Sequence, residues 1–192
     1  MCCRFYTDDT TKKDIIGLVA SYDKKINWLR EGDVHPGDPA TVILKEGGGL
    51  FARDMKWGMA GKNASLLINA RAESVQEKKT FSDSVKERRC VIPAKHFYEW
   101  DAEKNRVQFS VEGEKSVYLA GIYEESGEET VFAVLTTAAN DSMKPVHDRM
   151  PLVLSREEIA PWICEGGKTE EILKKVPAEL TPYREYEQLS LF

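Results

Sequence analysis

The sequence predicts an α+β fold: one β-rich domain over residues 1–192, its curved and mainly antiparallel sheets partly closed into a barrel and flanked by a few helices. Three observations carry that expectation. A chain of 192 residues with 42% hydrophobic content can bury one sizeable core and is short for two ordinary domains. From Thr41 to Leu154 it is a succession of short β-rich runs broken by Gly, Pro, Asn or charge clusters. The breaks leave no room for crossover helices, so neighbouring strands should pair mainly antiparallel.

Taken in order, the first element is a helix over about 12–30, where Ile15, Ile16, Val19, Ile26 and Leu29 recur at three-to-four spacing between charges. The Gly/Pro/Asp-rich run from Gly32 to Pro39 ends it. Strands follow at TVILK, LFARDMKWG, SLLIN, CVIPA, FYEW, RVQFSV, VYLAGIY, TVFAVLTT and MPLVL. Gly47 to Gly49 lacks a following Lys-Ser or helix signal and reads as a hairpin turn, not a phosphate loop. The polar stretch from Gln76 to Arg89 belongs on the surface as helix or loop. Ser155 with Glu158 three residues on forms a capping-box pattern, and Thr169 precedes EEILKKV, so short helices close the chain. There is no fixed-period repeat and no low-complexity tract.

Composition narrows the function. A net charge of -5 and a pI near 5.4 argue against a diffuse basic face for nucleic acid, so any DNA contact must be local. No window has the apolar length of a membrane span, and MCCRFYTDDTTKKD lacks an apolar secretory core, which points to a cytoplasmic protein without a membrane partner. Four cysteines in such a chain are expected to stay reduced, Cys90 and Cys164 as buried thiols. Neither C-x-x-C nor H-E-x-x-H spacing occurs, so no metal is expected.

Cys2 is the most informative residue, because a small side chain at position two permits removal of Met1. A chain starting with cysteine carries a thiol and an α-amine on neighbouring carbons, both partly nucleophilic near neutrality. With an aldehyde the amine forms an imine and the thiol closes on the same carbon into a five-membered ring. Taken alone, Cys2 reads sooner as a processed, frayed terminus. In INARAE (68–73), Asn69 offers a donor and an acceptor and Arg71 a fork suited to phosphate, although a strand end with solvated charges fits too. In CVIPAKHFYEW (90–100), alternation turns Glu99 away from Tyr98 and Trp100, and a carboxylate beside apolar surface suits proton transfer. In PVHDRMP (145–151), prolines stiffen the loop that carries His147, and Arg149 could meet a phosphate. His35 and His96 read as surface or packing residues.

The opening MC-RF, the Trp-Gly of MKWG, INARAE, RRCVIPAKHFYEW and TTAAND followed by PVHDRMPLVL together resemble the SOS-response-associated peptidase (SRAP) family, in order and with compatible gaps to about Ser155. The resemblance implies a repair protein, working as a monomer, that recognises abasic sites in single-stranded DNA and crosslinks to the opened sugar through Cys2 as a thiazolidine, with no cofactor. It also implies roles: Asn69 holding the terminus and the sugar oxygen, Glu99 moving protons, His147 protonating the ring during reversal. Arg4, Arg71 and Arg149 fall at phosphate-contacting positions, Thr136 near the same pocket, Trp57 in the Trp-Gly block of the DNA-contacting set, and Lys79 where an arginine is common. Two departures are Cys3, where most members have glycine, and GMAGKNAS, which is poor in aromatics. A thiol peptidase using Cys2 and His147, with Asn69 or Glu99 as orienter, and a non-catalytic reader of damaged DNA are the alternatives.

Overall fold

The structure is a computed structural model, and it describes residues 2–26, 31–62, 65–127 and 129–184. In chain order the elements are β1 (Phe5–Thr7), α1 (Asp9–Leu18), β2 (Ser21–Tyr22), β3 (Gly32–Val34), β4 (Pro39–Glu46), β5 (Gly49–Trp57), β6 (Met59–Ala60), β7 (Leu66–Leu67) and β8 (Asn69–Arg71). They continue with α2 (Ser82–Glu87), β9 (Arg89–Ala94), β10 (His96–Trp100), β11 (Arg106–Ser110), β12 (Val117–Ser126), β13 (Glu129–Ala138), β14 (Arg149–Pro151), β15 (Val153–Leu154), α3 (Ile159–Cys164), α4 (Thr169–Lys174) and β16 (Thr181–Arg184).

Pairing closes a barrel. Strands β13, β12, β9, β4 and β5 are antiparallel neighbours in that order. The ring then shuts through a parallel contact of β5 with β13, Lys56 opposite Val131 and Trp57 opposite Phe132. The expected antiparallel character therefore holds along the meander, and parallel pairing enters where strands distant in sequence meet, including β8 on β13 and β2 on β5. Between β4 and β5, Glu46 faces Gly49, leaving Gly47 and Gly48 as a two-residue turn with φ of +60° and +86°. Both values suit the hairpin turn that matches strand twist, and both favour glycine.

Alternation along these strands divides the apolar residues into two sets. Ile43, Val91, Ala120, Ala133 and Leu135 pack with Ile15 of α1, Val85 of α2, Trp162 of α3 and Ile172 of α4. Five strands cannot enclose helices, so this is the outer face. Val42, Leu44, Met55, Trp57, Ile92, Leu119, Phe132 and Val134 line the inner face. The same inner cluster takes Phe5, Phe97, Val107 and Phe109 from a second, five-stranded sheet ordered β16-β11-β10-β1-β3. Strands β1 and β10 therefore lie against the barrel's own core.

One expected element is shorter than its periodicity suggests. The helix expected over 12–30 runs only from Asp9 to Leu18, opened by Asp8, whose carboxylate accepts from the Thr11 amide at 2.9 Å. Ile15 is buried but Ile16 is 47% exposed, and Val19 is already extended at φ -95°, ψ 146°. Leu18, Val19 and Ile26 still pack on the outer cluster, the last two from non-helical chain, and pairing β2 with β5 satisfies the backbone there. Leu29 and Arg30 lie outside the described residues. The closing helices are as expected, with the capping box of Ser155 and Glu158 formed and their Ser155 N–H to Glu158 Oε2 bond at 2.8 Å.

Candidate active site

Cys2 is not a frayed end. Three residues ahead of β1, it is fully buried in the inner cluster, because Phe5 is fixed between Phe97 and Val34 and draws the preceding residues in. Asn69 Nδ2 donates to the Cys2 carbonyl at 2.8 Å. Asn69 can reach because β8 runs parallel to β13, with Asn69 opposite Val134. The Cys2 thiol faces the Arg4 carbonyl at 3.9 Å. Burial, and then the charge of Glu99, push that thiol far above the ordinary cysteine range. It is a protonated thiol that needs a base, and Glu99 is the nearby carboxylate.

Glu99 sits as the alternation requires. On β10, Phe97 points into the inner cluster and Glu99 is only 2% exposed, while Tyr98 stacks edge-on with His96 and Trp100 lies under the Arg4 guanidinium on the opposite face. Burial raises the Glu99 pKa, opposed by the charge of His147 and by the Trp100 amide. His147 lies in the segment between β13 and β14. Its Nδ1 is 3.0 Å from the Arg149 amide, which donates to it, and 2.8 Å from Asp148 Oδ1. A neutral ring accepts the amide proton and keeps its own on Nε2, whereas only a protonated ring donates to the carboxylate. The amide contact is the firmer of the two, because the Asp148 side chain is 86% exposed. Cys2, Asn69, Glu99 and His147 thus meet at the seam between the second sheet and the barrel. The arrangement holds together a thiol, an amide bonded to its backbone carbonyl, a buried carboxyl and an imidazole.

Comparison with known proteins decides the family. The family description "SOS response associated peptidase (SRAP)" matches residues 1–190. The chain belongs to the SRAP family. Among its relatives are the abasic site processing protein YoaM of Bacillus subtilis, 28% identical over 95% of this chain and 86% of that one, and YedK of Escherichia coli, 28% identical over 90% and 85%. HMCES of Xenopus tropicalis is 28% identical over 67% of this chain and 50% of its own. A crystal structure of a Bacteroides thetaiotaomicron protein has the same fold, with a TM-score of 0.81 at 20% identity over 97% of this chain and 93% of that one.

The polar residues expected to surround an SRAP site divide by exposure. Arg71 ends β8 exposed, opposite Thr136 of β13, and Lys79 is exposed in the turn before α2. Arg4 is partly exposed, 3.5 Å from Asp33 and 5.3 Å above Trp100. Arg149 is turned inward: its guanidinium grips Glu73 at 2.5 and 2.9 Å and the Thr136 carbonyl at 2.7 Å. Thr136 itself is fully buried beside it. Trp57, expected among the DNA-contacting residues, is corrected to a core residue. It is fully buried between Phe5 and Phe132, and its indole N–H is used by the Ile68 carbonyl at 3.0 Å. Nothing in the local sequence marks Glu73 and Asp33 as the partners of Arg149 and Arg4. Glu73 was visible two residues after Arg71, but an ion pair across 76 residues has no local signal.

Proposed function

We propose that this SRAP protein captures abasic sites in single-stranded DNA through a thiazolidine formed by Cys2 after loss of Met1. The observation that carries the reading is Cys2 itself: fully buried, bonded through its carbonyl to Asn69 at 2.8 Å, and beside a carboxyl of raised pKa. In this reading the α-amine attacks the C1′ aldehyde of the ring-opened sugar, and Glu99 as a neutral acid protonates the departing hydroxyl, giving an imine and one water. The Cys2 thiol then adds to the carbon of this imine, still protonated on nitrogen, and gives its proton to the Glu99 carboxylate, which restores the neutral acid and leaves a neutral ring nitrogen. Asn69 Oδ1, buried and without a partner among the described residues, is suited to accept from the amine or a sugar hydroxyl. The names of the relatives, abasic site processing proteins, agree with the substrate. A thiol peptidase would use the same residues, but such enzymes need a thiol lowered toward the thiolate, and burial moves Cys2 the other way.

The test is a denaturing gel of the protein with oligonucleotides carrying one abasic site. A resistant, slower band is expected with the parent on single strands, far less on a fully paired duplex, where unpairing costs a few kcal/mol, and none with Cys2→Ala. A Cys2→Ala protein that still forms the band would refute the reading.

A further inference from the structure

We infer that Trp57 is a positioning residue of this site: its indole sets the place of Asn69 on one side and of the chain carrying Cys2 on the other. Its effect on rate presupposes the crosslinking reading, whereas its hold on Asn69 does not. Trp57 ends β5 fully buried, with its backbone pinned from both directions. Its amide donates to the Asp38 carbonyl at 2.9 Å and its carbonyl accepts from the Gly37 amide at 2.7 Å. Gly58 then turns the chain at φ +121°, where glycine is favoured, and its amide donates to the Phe132 carbonyl at 2.8 Å. The indole springs from a backbone that has little room to shift.

A buried indole N–H needs an acceptor, and many core carbonyls would serve. The one it meets is that of Ile68, at 3.0 Å, and two details give the choice a consequence. First, the Ile68 carbonyl already accepts from the Val134 amide at 3.0 Å, so its own requirement is met without the indole, and the second bond restrains it further. Second, Ile68 immediately precedes Asn69, whose Nδ2 donates to the Cys2 carbonyl at 2.8 Å. Strand β8 is only three residues long and pairs with β13 alone among the described residues, so few ladder bonds hold Asn69 in place. The same ring lies 5.0 Å from Phe5, three residues after Cys2, and parallel to Phe132 at 6.2 Å. One side chain thus links both ends of the Asn69–Cys2 bond, by a hydrogen bond to the chain that carries the donor and by ring contact with the chain that carries the acceptor.

The experiment removes the N–H and keeps a ring. Trp57→Phe does so with the common amino acids, and replacement of Trp57 by benzothienylalanine, which has sulfur where the indole has N–H, keeps the shape and carries the test should Trp57→Phe not fold. Below the melting temperature of each variant, three quantities are compared with the parent: the initial rate of crosslinking to single-stranded DNA with one abasic site, the affinity for the same strand without the lesion by fluorescence anisotropy, and the Asn69 side-chain amide pair in the nitrogen–proton NMR spectrum, assigned by its loss in Asn69→Asp. The rate should fall about tenfold or more, as misplacement of a positioned group does. Affinity should be unchanged, and the Asn69 pair should move while most other resonances keep their positions. An Asn69 pair that stays in place, or a parent rate in the benzothienylalanine chain, would overturn the inference. A fall in affinity as large as the fall in rate would also overturn it, by making Trp57 a DNA contact. A parent that forms no crosslink would refute the functional reading instead, and the Asn69 signals would then decide the positioning role by themselves.

Discussion

Glu99 lies beside the Cys2 thiol and His147 beside Glu99, and their different settings decide their expected effects. Glu99 is enclosed on a strand, so Glu99→Gln should slow crosslink formation by about a hundredfold or more, visible in initial rates even where the final yield recovers. His147 lies on a loop with partial solvent access, suited to returning a proton to the ring, so His147→Ala should form the adduct and release it slowly. A chase with excess abasic DNA measures release, and release at the parent rate by His147→Ala would contradict that assignment. Glu99 also has a signature in stability. Burial raises its pKa, so the native state holds the proton more tightly than the unfolded chain does. Its contribution is complete below the ordinary carboxylate range and is lost as pH rises through the raised value. Glu99→Gln cannot ionise and should melt above the parent at pH 8, with the gap closing toward pH 4. A gap that widens toward pH 4 would mean the carboxylate, not the acid, is the form the fold favours. At this scale the sequence was a good guide to residues whose chemistry is local: alternation alone turned Glu99 away from Tyr98 and Trp100. It did not show that Trp57 is buried or that Arg149 is held by Glu73, since both depend on strands far apart in the chain.

At the level of elements, the barrel depends on close contact inside the ring. An added Cβ at Gly121 of β12 would stand 2.4 Å from Ile92 Cδ1, 3.0 Å from the Ala133 carbonyl and 3.1 Å from Cys90 Sγ. The isoleucine tip can turn aside, but the carbonyl belongs to the neighbouring strand and cannot move without the ladder. Gly121→Ala should therefore destabilise by about 1–3 kcal/mol and lower the melting temperature by roughly 2–10 °C. An unchanged melting temperature would mean that the interior has slack there. The strands were legible because each is a period-two run bounded by breakers, and the Gly47-Gly48 turn follows from the residue types alone. The end of α1 was not, because the apolar spacing continues past Leu18 and Val19 and Ile26 still pack on the outer cluster, but from extended and turn backbone beside the β2–β5 pair.

For the whole molecule, the sequence indicated curved antiparallel sheets but not how they close. The parallel seam of β5 with β13 joins segments some 75 residues apart, a pairing with no trace in local pattern. That closure matters for function, because β8, β13 and β14 bring Asn69, Thr136 and Arg149 to the barrel side of the seam while β1 and β10 bring Cys2 and Glu99 from the other. A net charge of -5 argues against a diffuse basic face as the means of holding DNA, and the proposed covalent bond at a built site is consistent with that. The most direct measurement of that claim is the intact mass of the adduct between the protein and a single-stranded oligonucleotide with one abasic site. The expected mass is that of the chain beginning at Cys2 plus the DNA, less one water, with nothing formed by Cys2→Ala. An adduct that retains Met1, or one whose linkage maps to a residue other than Cys2, would contradict it.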